Sequence, residues 1–243
     1  MRIVTLNTWK NEGQFERRLA LMAEGLGELG PDVVCLQECF HAEGWDTAAH
    51  LSEALGLVAL AAPARRKPRR HQGRMVDSAS GLAMLCREPP LKAGRVELPS
   101  DPADGERIGQ WADVAPDLRV LNLHLIHLRG PQAVELRRAQ LQQAISEAFR
   151  PPSALLVAGD LNATAEASEL APIAAELDHH AAATLQGERA GGGPAPSAAI
   201  DHLALVHLGD WKIVRRFRAL DRPDGEGWFP SDHAAVVADL IRL

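Results

Sequence analysis

The chain has 243 residues, 46% of them apolar and 24% charged, with a formal net charge of −6. Those values fit one globular domain over residues 1–243 and exclude a disordered, collagen-like or disulfide-scaffold protein. The acidic balance argues against indiscriminate coating of nucleic acid. Cys35, Cys39 and Cys86 are too few and too oddly spaced for a framework or a zinc knuckle. No apolar run reaches the ~18 residues of a membrane span, and Asn7 and Lys10 interrupt the opening apolar stretch, so no secretory leader is expected. The expected location is the cytoplasm; the oligomeric state stays open.

In chain order, Arg2 to Thr8 reads as a strand ending in Asn7-Thr8-Trp9. Phe15, Leu19, Met22, Leu26 and Leu29 recur at helical spacing up to a Gly30-Pro31 stop, and residues 32–36 form a buried strand leading to Gln37-Glu38. Residues 25–30 match G-x-G-x-x-G, but they lie inside the helix and before the strand, which is the wrong order for a dinucleotide site. Further strands are predicted at 81–86, 111–115 and 118–125. A helix follows at 133–149, stopped by Pro151-Pro152, then strands at 154–158, 200–206, 211–218 and 234–240. Residues 99–106, 187–197 and 221–231 read as loops. The mixture predicts a layered α+β fold.

Polar groups collect where these strands begin or end: Asn7; Gln37 and Glu38; Asn122 and His124; Asp160 and Asn162; Asp201 and His202; Asp232 and His233. Turn preference explains any one of them. Six sets in one chain call for a common cause. Asn7 and Glu38 are hard oxygen donors suited to Mg²⁺ or Mn²⁺. On an extended backbone Asp160 and Asn162 point to one side, one to orient water and one to contact a phosphoryl oxygen. His233 needs a carboxylate to fix its tautomer, and Asp201 can supply it. His124 offers a second imidazole for the developing charge or the leaving oxygen. His127, His179, His180, His41, His50 and His207 read as non-catalytic, and His202 either lines the site or packs between layers.

The motifs L-N-T-W (6–9), L-Q-E (36–38), N-L-H-L (122–125), G-D-L-N-A (159–163), I-D-H (200–202) and S-D-H (231–233), in this order, resemble the endonuclease/exonuclease/phosphatase superfamily. The resemblance implies a four-layered α/β/β/α sandwich, two mixed sheets face to face, and divalent-metal-dependent phosphoester hydrolysis. It implies a metal held by Asn7 and Glu38 with Asp232 beside it, water activated by Asp160 and phosphate contacted by Asn162. His124 would face a substrate oxygen, and Asp201 and His233 would form an acid–imidazole pair. Glu135, Arg138 and Gln140 resemble a largely structural helix of the family. Leu82 and Ala199 depart from the asparagine and arginine common at those positions.

Residues 64–75 carry Arg65, Arg66, Lys67, Arg69, Arg70 and Arg74 without an acid. They read as a loop whose Arg69, Arg70 and Arg74 can meet a polyanion, with a solvated loop as the alternative. Trp228 and Phe229 are candidates for a pocket wall or for core. The chain has no tyrosine, which argues against an abasic-site endonuclease. The expected substrate is a small or lipid-derived phosphate ester. DNA is the alternative, and a binding module without chemistry is a second one. A serine hydrolase lacks its G-x-S-x-G, and a P-loop protein its G-K-[ST].

Overall fold

The computed structural model describes residues 1–150, 154–187, 190 and 198–243. In chain order the elements are β1 (Arg2–Asn7), α1 (Phe15–Leu29), β2 (Val33–Ala42), β3 (Trp45–Asp46), α2 (Thr47–Leu55), β4 (Val58–Ala62), β5 (Lys67–His71) and β6 (Arg74–Cys86). There follow β7 (Lys92–Asp101), β8 (Gly105–Ala115), β9 (Leu118–His124), α3 (Pro131–Ala148), β10 (Ala154–Asp160), a 3-10 helix (Ser168–Glu176), β11 (Asp201–His207), β12 (Trp211–Ala219) and β13 (Ala235–Arg242). One mixed sheet runs β12-β13-β1-β2-β6-β4, with β3 beside β2 and β5 beside β6; the other runs β11-β10-β9-β8-β7.

Strand periodicity builds the layers. Ile3, Val33 and Cys35 of the first sheet pack with Leu118, Val120, Leu156, Ala158 and Leu203 of the second, so those faces meet in the interior. The alternate residues point the other way. Val4, Leu6, Val34 and Leu36 pack under α1 and α2, while Leu121, Leu123, Leu155 and Val157 pack under α3 and the 3-10 helix. The result is the four-layered α/β/β/α sandwich. Residues 25–30 lie in α1 and its cap. Gly30, at φ 56°, donates to the Leu26 and Gly27 carbonyls and stops the helix.

Several segments differ from the sequence reading. Residues 67–71 form β5 rather than a loop, hydrogen-bonded to β6 from Lys67↔Ser78 to His71↔Arg74. Alternation therefore turns Arg69 and His71 inward and leaves Arg70 exposed. The expected loop at 99–106 shrinks to a hairpin turn between β7 and β8. Helix α2, strands β4 and β7 and the 3-10 helix were not foreseen: β4 and β7 carry exposed small or charged residues, and the 3-10 helix contains Pro172. Pro151-Pro152 and most of the 187–197 loop lie outside the described residues. Cys35, Cys39 and Cys86 are free and buried. No helix among the described residues is long and apolar enough to cross a membrane.

Candidate active site

The interior-facing row of each central strand starts apolar and ends polar. Ile3 and Thr5 lead to Asn7, Cys35 leads to Gln37, Val120 to Asn122 and His124, and Leu156 and Ala158 to Asp160. Parallel pairing aligns Asn7 with Gln37 and Asp160 with His124, and antiparallel β11 begins opposite Asp160 with Asp201. Five strands thus deliver their polar ends to one end of the sandwich. Just beneath, Gln37 donates to Asn122 Oδ1 at 2.8 Å, and Asn122 donates to the Leu36 and Ala83 carbonyls at 3.0 Å each. This amide clamp ties the sheets together where apolar packing stops.

Asp160 is the hub. Its Oδ2 accepts from Asn7 Nδ2 across the sheets at 2.9 Å and lies 3.5 Å from His124 Nε2 and 4.0 Å from His233 Nε2. Asp201 Oδ2 holds His233 Nδ1 at 2.8 Å. The Asn162 N–H donates to Asp160 Oδ1 in a tight turn with Asn162 at φ 50°. The extended geometry expected for Asp160-x-Asn162 is therefore corrected. The Asn162 side chain donates to the Leu125 carbonyl at 3.0 Å and closes the turn. The Ser231 hydroxyl donates to the Asn7 carbonyl at 2.6 Å and lies 3.3 Å from Asp232 Oδ1, which fixes the 231–233 corner on β1.

Glu38 reaches the rim through a bulge, where Leu36 pairs with Ala83 and Cys39 already with Gly81. Its φ is 54°, and its carboxylate meets Lys10 Nζ at 2.9 Å and Arg65 at 3.8 Å. Trp9, Lys10, Glu38, Arg65 and Asn162 are all non-glycine residues in the left-handed region, so backbone strain gathers at this end of the sandwich. Gly159 precedes the hub at φ 143°, and a Cβ there would fall 1.9 Å from the Leu123 carbonyl oxygen.

The electrostatics divide the site. Burial, then the Asp201 charge, raises the Asp160 carboxyl to about 7. Burial, opposed by the His233 charge and reinforced by Glu38, raises Asp232 to about 6. Burial disfavours charge on His233, yet the adjacent Asp201, Asp160 and Asp232 carboxylates outweigh it and raise that imidazole to about 10. His124 goes the other way: burial first, then Arg107, Arg65, Lys10 and His233, push it well below the usual histidine range.

Oxygen donors and an excess of buried negative charge fit a hard divalent cation. Asp160, Asp201 and His233 present ligand atoms all within 4.8 Å of one another, and Asp201 Oδ1 is buried without a hydrogen-bond partner. This trio differs from the Asn7, Glu38 and Asp232 set expected to hold the ion, although Asn7 bonds directly to one of its members.

The expected substrate contacts scatter. Arg69 is buried and spends its guanidinium on the Ser78 and Ser80 hydroxyls at 2.9 Å each and on the Arg65 and Lys67 carbonyls. That corrects its reading as a free phosphate fork. Arg70 and Arg74 are exposed on the β5–β6 hairpin. Trp228 is half-buried, with the Arg17 guanidinium of α1 5.9 Å from its ring centre. His202 turns to the helix side of β11 and donates to the Ala163 carbonyl at 2.9 Å. Gln140 is buried and bonds the Ile126 N–H and the Pro99 carbonyl, whereas Glu135 and Arg138 pair at the surface.

Three residues that sequence reasoning passed over shape the site. Arg18, fully buried in α1, donates to the carbonyls of Thr8, Trp9, Lys10, Glu12 and Pro230 and so ties together the loops that follow β1 and precede His233. Asp104 is buried and binds Arg65, Arg107 and His127. Arg107 also donates to the His124 carbonyl at 3.2 Å. A charged residue at a core-facing helical position was the available signal for Arg18. Asp104 and Arg107 sat in and beside a stretch read as loop.

A sandwich of two face-to-face sheets, flanked by helices and closed at one end by carboxylates, amides and imidazoles, defines the class of protein. The model of the Endonuclease/Exonuclease/phosphatase family matches residues 4–233, and the chain belongs to that family, whose members are hydrolases of phosphoester bonds and generally depend on divalent metals. The fold is shared with a functionally unknown conserved protein from Enterococcus faecalis V583 (19% identity, 100% of both chains, TM-score 0.76). It is also shared with an endonuclease/exonuclease/phosphatase from Beutenbergia cavernae (21% identity, 100% of this chain and 71% of that one, TM-score 0.74). A mannosyl-6-phosphatase from Bacteroides thetaiotaomicron is similar over 99% of both chains at 19% identity and a TM-score of 0.66. No curated protein matches the sequence significantly.

Proposed function

We propose that the protein is a divalent-metal-dependent phosphoesterase that hydrolyses a small or lipid-derived phosphodiester or phosphomonoester by in-line attack of water. The observation that carries this reading is the convergence of Asn7, His124 and His233 on one carboxylate, Asp160, with Asp201 behind His233. A resident Mg²⁺ or Mn²⁺ near Asn7, Glu38 and Asp232 would supply charge neutralisation for the phosphoryl oxygens. Asp160, titrating near 7, accepts the proton of the attacking water. His233, held as an imidazolium by Asp201, donates to a non-bridging oxygen as negative charge builds there. His124 stays neutral and is placed to offer its ring N–H to the departing oxygen.

The test is hydrolysis of p-nitrophenyl phosphate and bis(p-nitrophenyl) phosphate with Mg²⁺ or Mn²⁺. Turnover should vanish with chelator and fall by ~10²–10⁴ in His233→Gln. Activity that survives chelation overturns the mechanism. DNA remains the second reading because Arg70 and Arg74 project from the hairpin. Rapid nicking of plasmid DNA that stops in Asp160→Ala would put it first.

A further inference from the structure

Away from the site, on the helix side of the first sheet, α1 and the β3–α2 corner enclose an open groove of about 900 Å³. Phe15 and Trp45 give it an aromatic wall, and its rim carries Glu16, Glu43, Asp46 and Glu53 without a lysine or arginine. Two of these carboxylates are occupied. Asp46 accepts the Ala49 N–H at the start of α2 and holds His41 at 2.7 Å, and Glu16 accepts from the Gln72 amide at 2.8 Å. Glu43 and Glu53 are exposed and enter no ion pair among the described residues. Arg66 and Lys67 border the neighbouring recess with Glu43, yet neither reaches a carboxylate within salt-bridge distance.

The β5–β6 hairpin beside the groove has the opposite sign. Over residues 66–77 the exposed Arg66, Lys67, Arg70 and Arg74 face one exposed acid, Asp77. The inner row of the hairpin is anchored: the His71 ring lies 4.5 Å from that of Trp45 and 5.3 Å from that of Phe15, centre to centre. Asn11 donates to the Arg70 carbonyl at 2.8 Å. Arg70 and Met75 are direct cross-strand partners one step out of the His71 row, so they share the face turned away from Trp45. Met75 is 63% exposed, and Arg70 and Arg74 enter no ion pair among the described residues. This chain's own groove cannot take that face.

We propose that the groove binds the β5–β6 hairpin of a second copy of this chain. Arg70 and Arg74 of one copy meet Glu43 and Glu53 of the other, and Met75 packs on the Phe15–Trp45 wall, as a thioether packs on rings. Both halves of the contact are present on one chain, opposite in sign and each lacking a partner, which is why the occupant is a second copy. The inference is independent of the chemistry at Asp160. It also withdraws Arg70 and Arg74 from any surface that would meet DNA.

Sedimentation of the full chain tests it. At ~100 μM, above the micromolar dissociation constants of the weaker standard-size interfaces, the protein should associate. NaCl at ~1 M, which cuts the screening length to ~3 Å, should weaken association by ~5-fold. Met75→Ser should weaken it by ~10-fold. The decisive step is a charge exchange. Glu43→Lys with Glu53→Lys should be monomeric alone, and so should Arg70→Glu with Arg74→Glu, whereas an equal mixture of the two variants should associate again. A wild-type chain that stays monomeric overturns the proposal. In that case a hexa-arginine peptide that binds the wild type but not the lysine variant gives the groove to a basic segment of another protein. Association of either double variant alone overturns it as well, and so does association that ~1 M NaCl leaves unchanged. A mixture that stays monomeric, although both variants melt like the parent, shows that the two patches do not meet and overturns it too.

Discussion

The two flanks of the site hold the same kind of side chain in opposite charge states. On one flank His233 sits among Asp160, Asp201 and Asp232 and is drawn up to about 10; on the other His124 sits near Arg65, Arg107 and Lys10 and is pushed well down. Both histidines are buried, so solvation alone cannot separate them. What separates them is the sign of the surrounding charge. Each flank is also pinned by a buried ion of the sign opposite to its own. Arg18 gathers the loops of the acidic flank through their carbonyls, and Asp104 gathers the arginines of the basic one. The division holds one histidine as an imidazolium and keeps the other neutral.

The most severe way to break this division is at the carboxylate both histidines face. Asp160→Asn keeps the size of the side chain and removes its capacity to accept a proton. kcat should fall by ~10³ or more, the range for loss of a general base. Because burial and Asp201 make the ionised carboxylate costly, the chelator-treated variant should melt higher than the chelator-treated parent. A variant that loses activity and stability together would show that Asp160 is a structural acceptor first.

The pins come next. Arg18→Met fits an apolar chain into the α1 stripe but strips the donors from a set of enclosed carbonyls. At ~1–3 kcal/mol for each of the two buried acceptors left unpaired, the Thr8 and Pro230 carbonyls, a loss of ~2–6 kcal/mol is expected by urea denaturation. Asp104→Leu should cost ~3 kcal/mol, as expected when one partner of a buried pair is removed. The two changes should also differ in their effects on function. The Arg18 variant should lower kcat by loosening the 230–233 corner, whereas the Asp104 variant should mainly raise KM, since Arg65 and Arg107 lose their anchor. Identical kinetic signatures would erase the distinction between the flanks.

Most of this site was readable in the chain, because it lies at strand ends. A strand's period of two places Asn7, Asn122, His124 and Asp160 on the interior row as soon as Ile3, Val120 and Leu156 are recognised as core, and the pairing of Asp201 with His233 follows from chemistry. Two kinds of feature could not be read. Asn162 lies in the left-handed region, and its turn depends on the Leu125 carbonyl of a neighbouring strand, so an extended reading of three residues could not find it. The basic run looked uniform, yet hairpin pairing with β6 sends Arg69 to Ser78 and Ser80 and sets Arg65 against an aspartate 39 residues away. That partner sat in a stretch whose composition suggested only a loop. Charges matched across long sequence separation leave no local period.

The smallest predicted effect isolates the acidic flank from ordinary burial. His202 neighbours Asp201 but turns to the helix side, where burial, opposed by its bond to the Ala163 carbonyl and by the Asp201 charge, lowers its pKa below 6.5. In the unfolded chain it takes up a proton near 6.5, whereas in the folded one it resists, so its contribution is intact above that pH and is lost as pH falls below it. His233 has the opposite sign: its stabilisation is full below 6.5 and is lost as pH rises through about 10. Chelator-treated protein should therefore lose stability on both the acid and the alkaline side. His202→Gln should flatten the acid limb by a few tenths of a kcal/mol to ~1 kcal/mol, and His233→Gln should flatten only the alkaline limb. Flattening of the alkaline limb by His202→Gln would mean that the charge of Asp201 reaches both faces of β11 equally, and the sidedness that separates the two histidines would not hold.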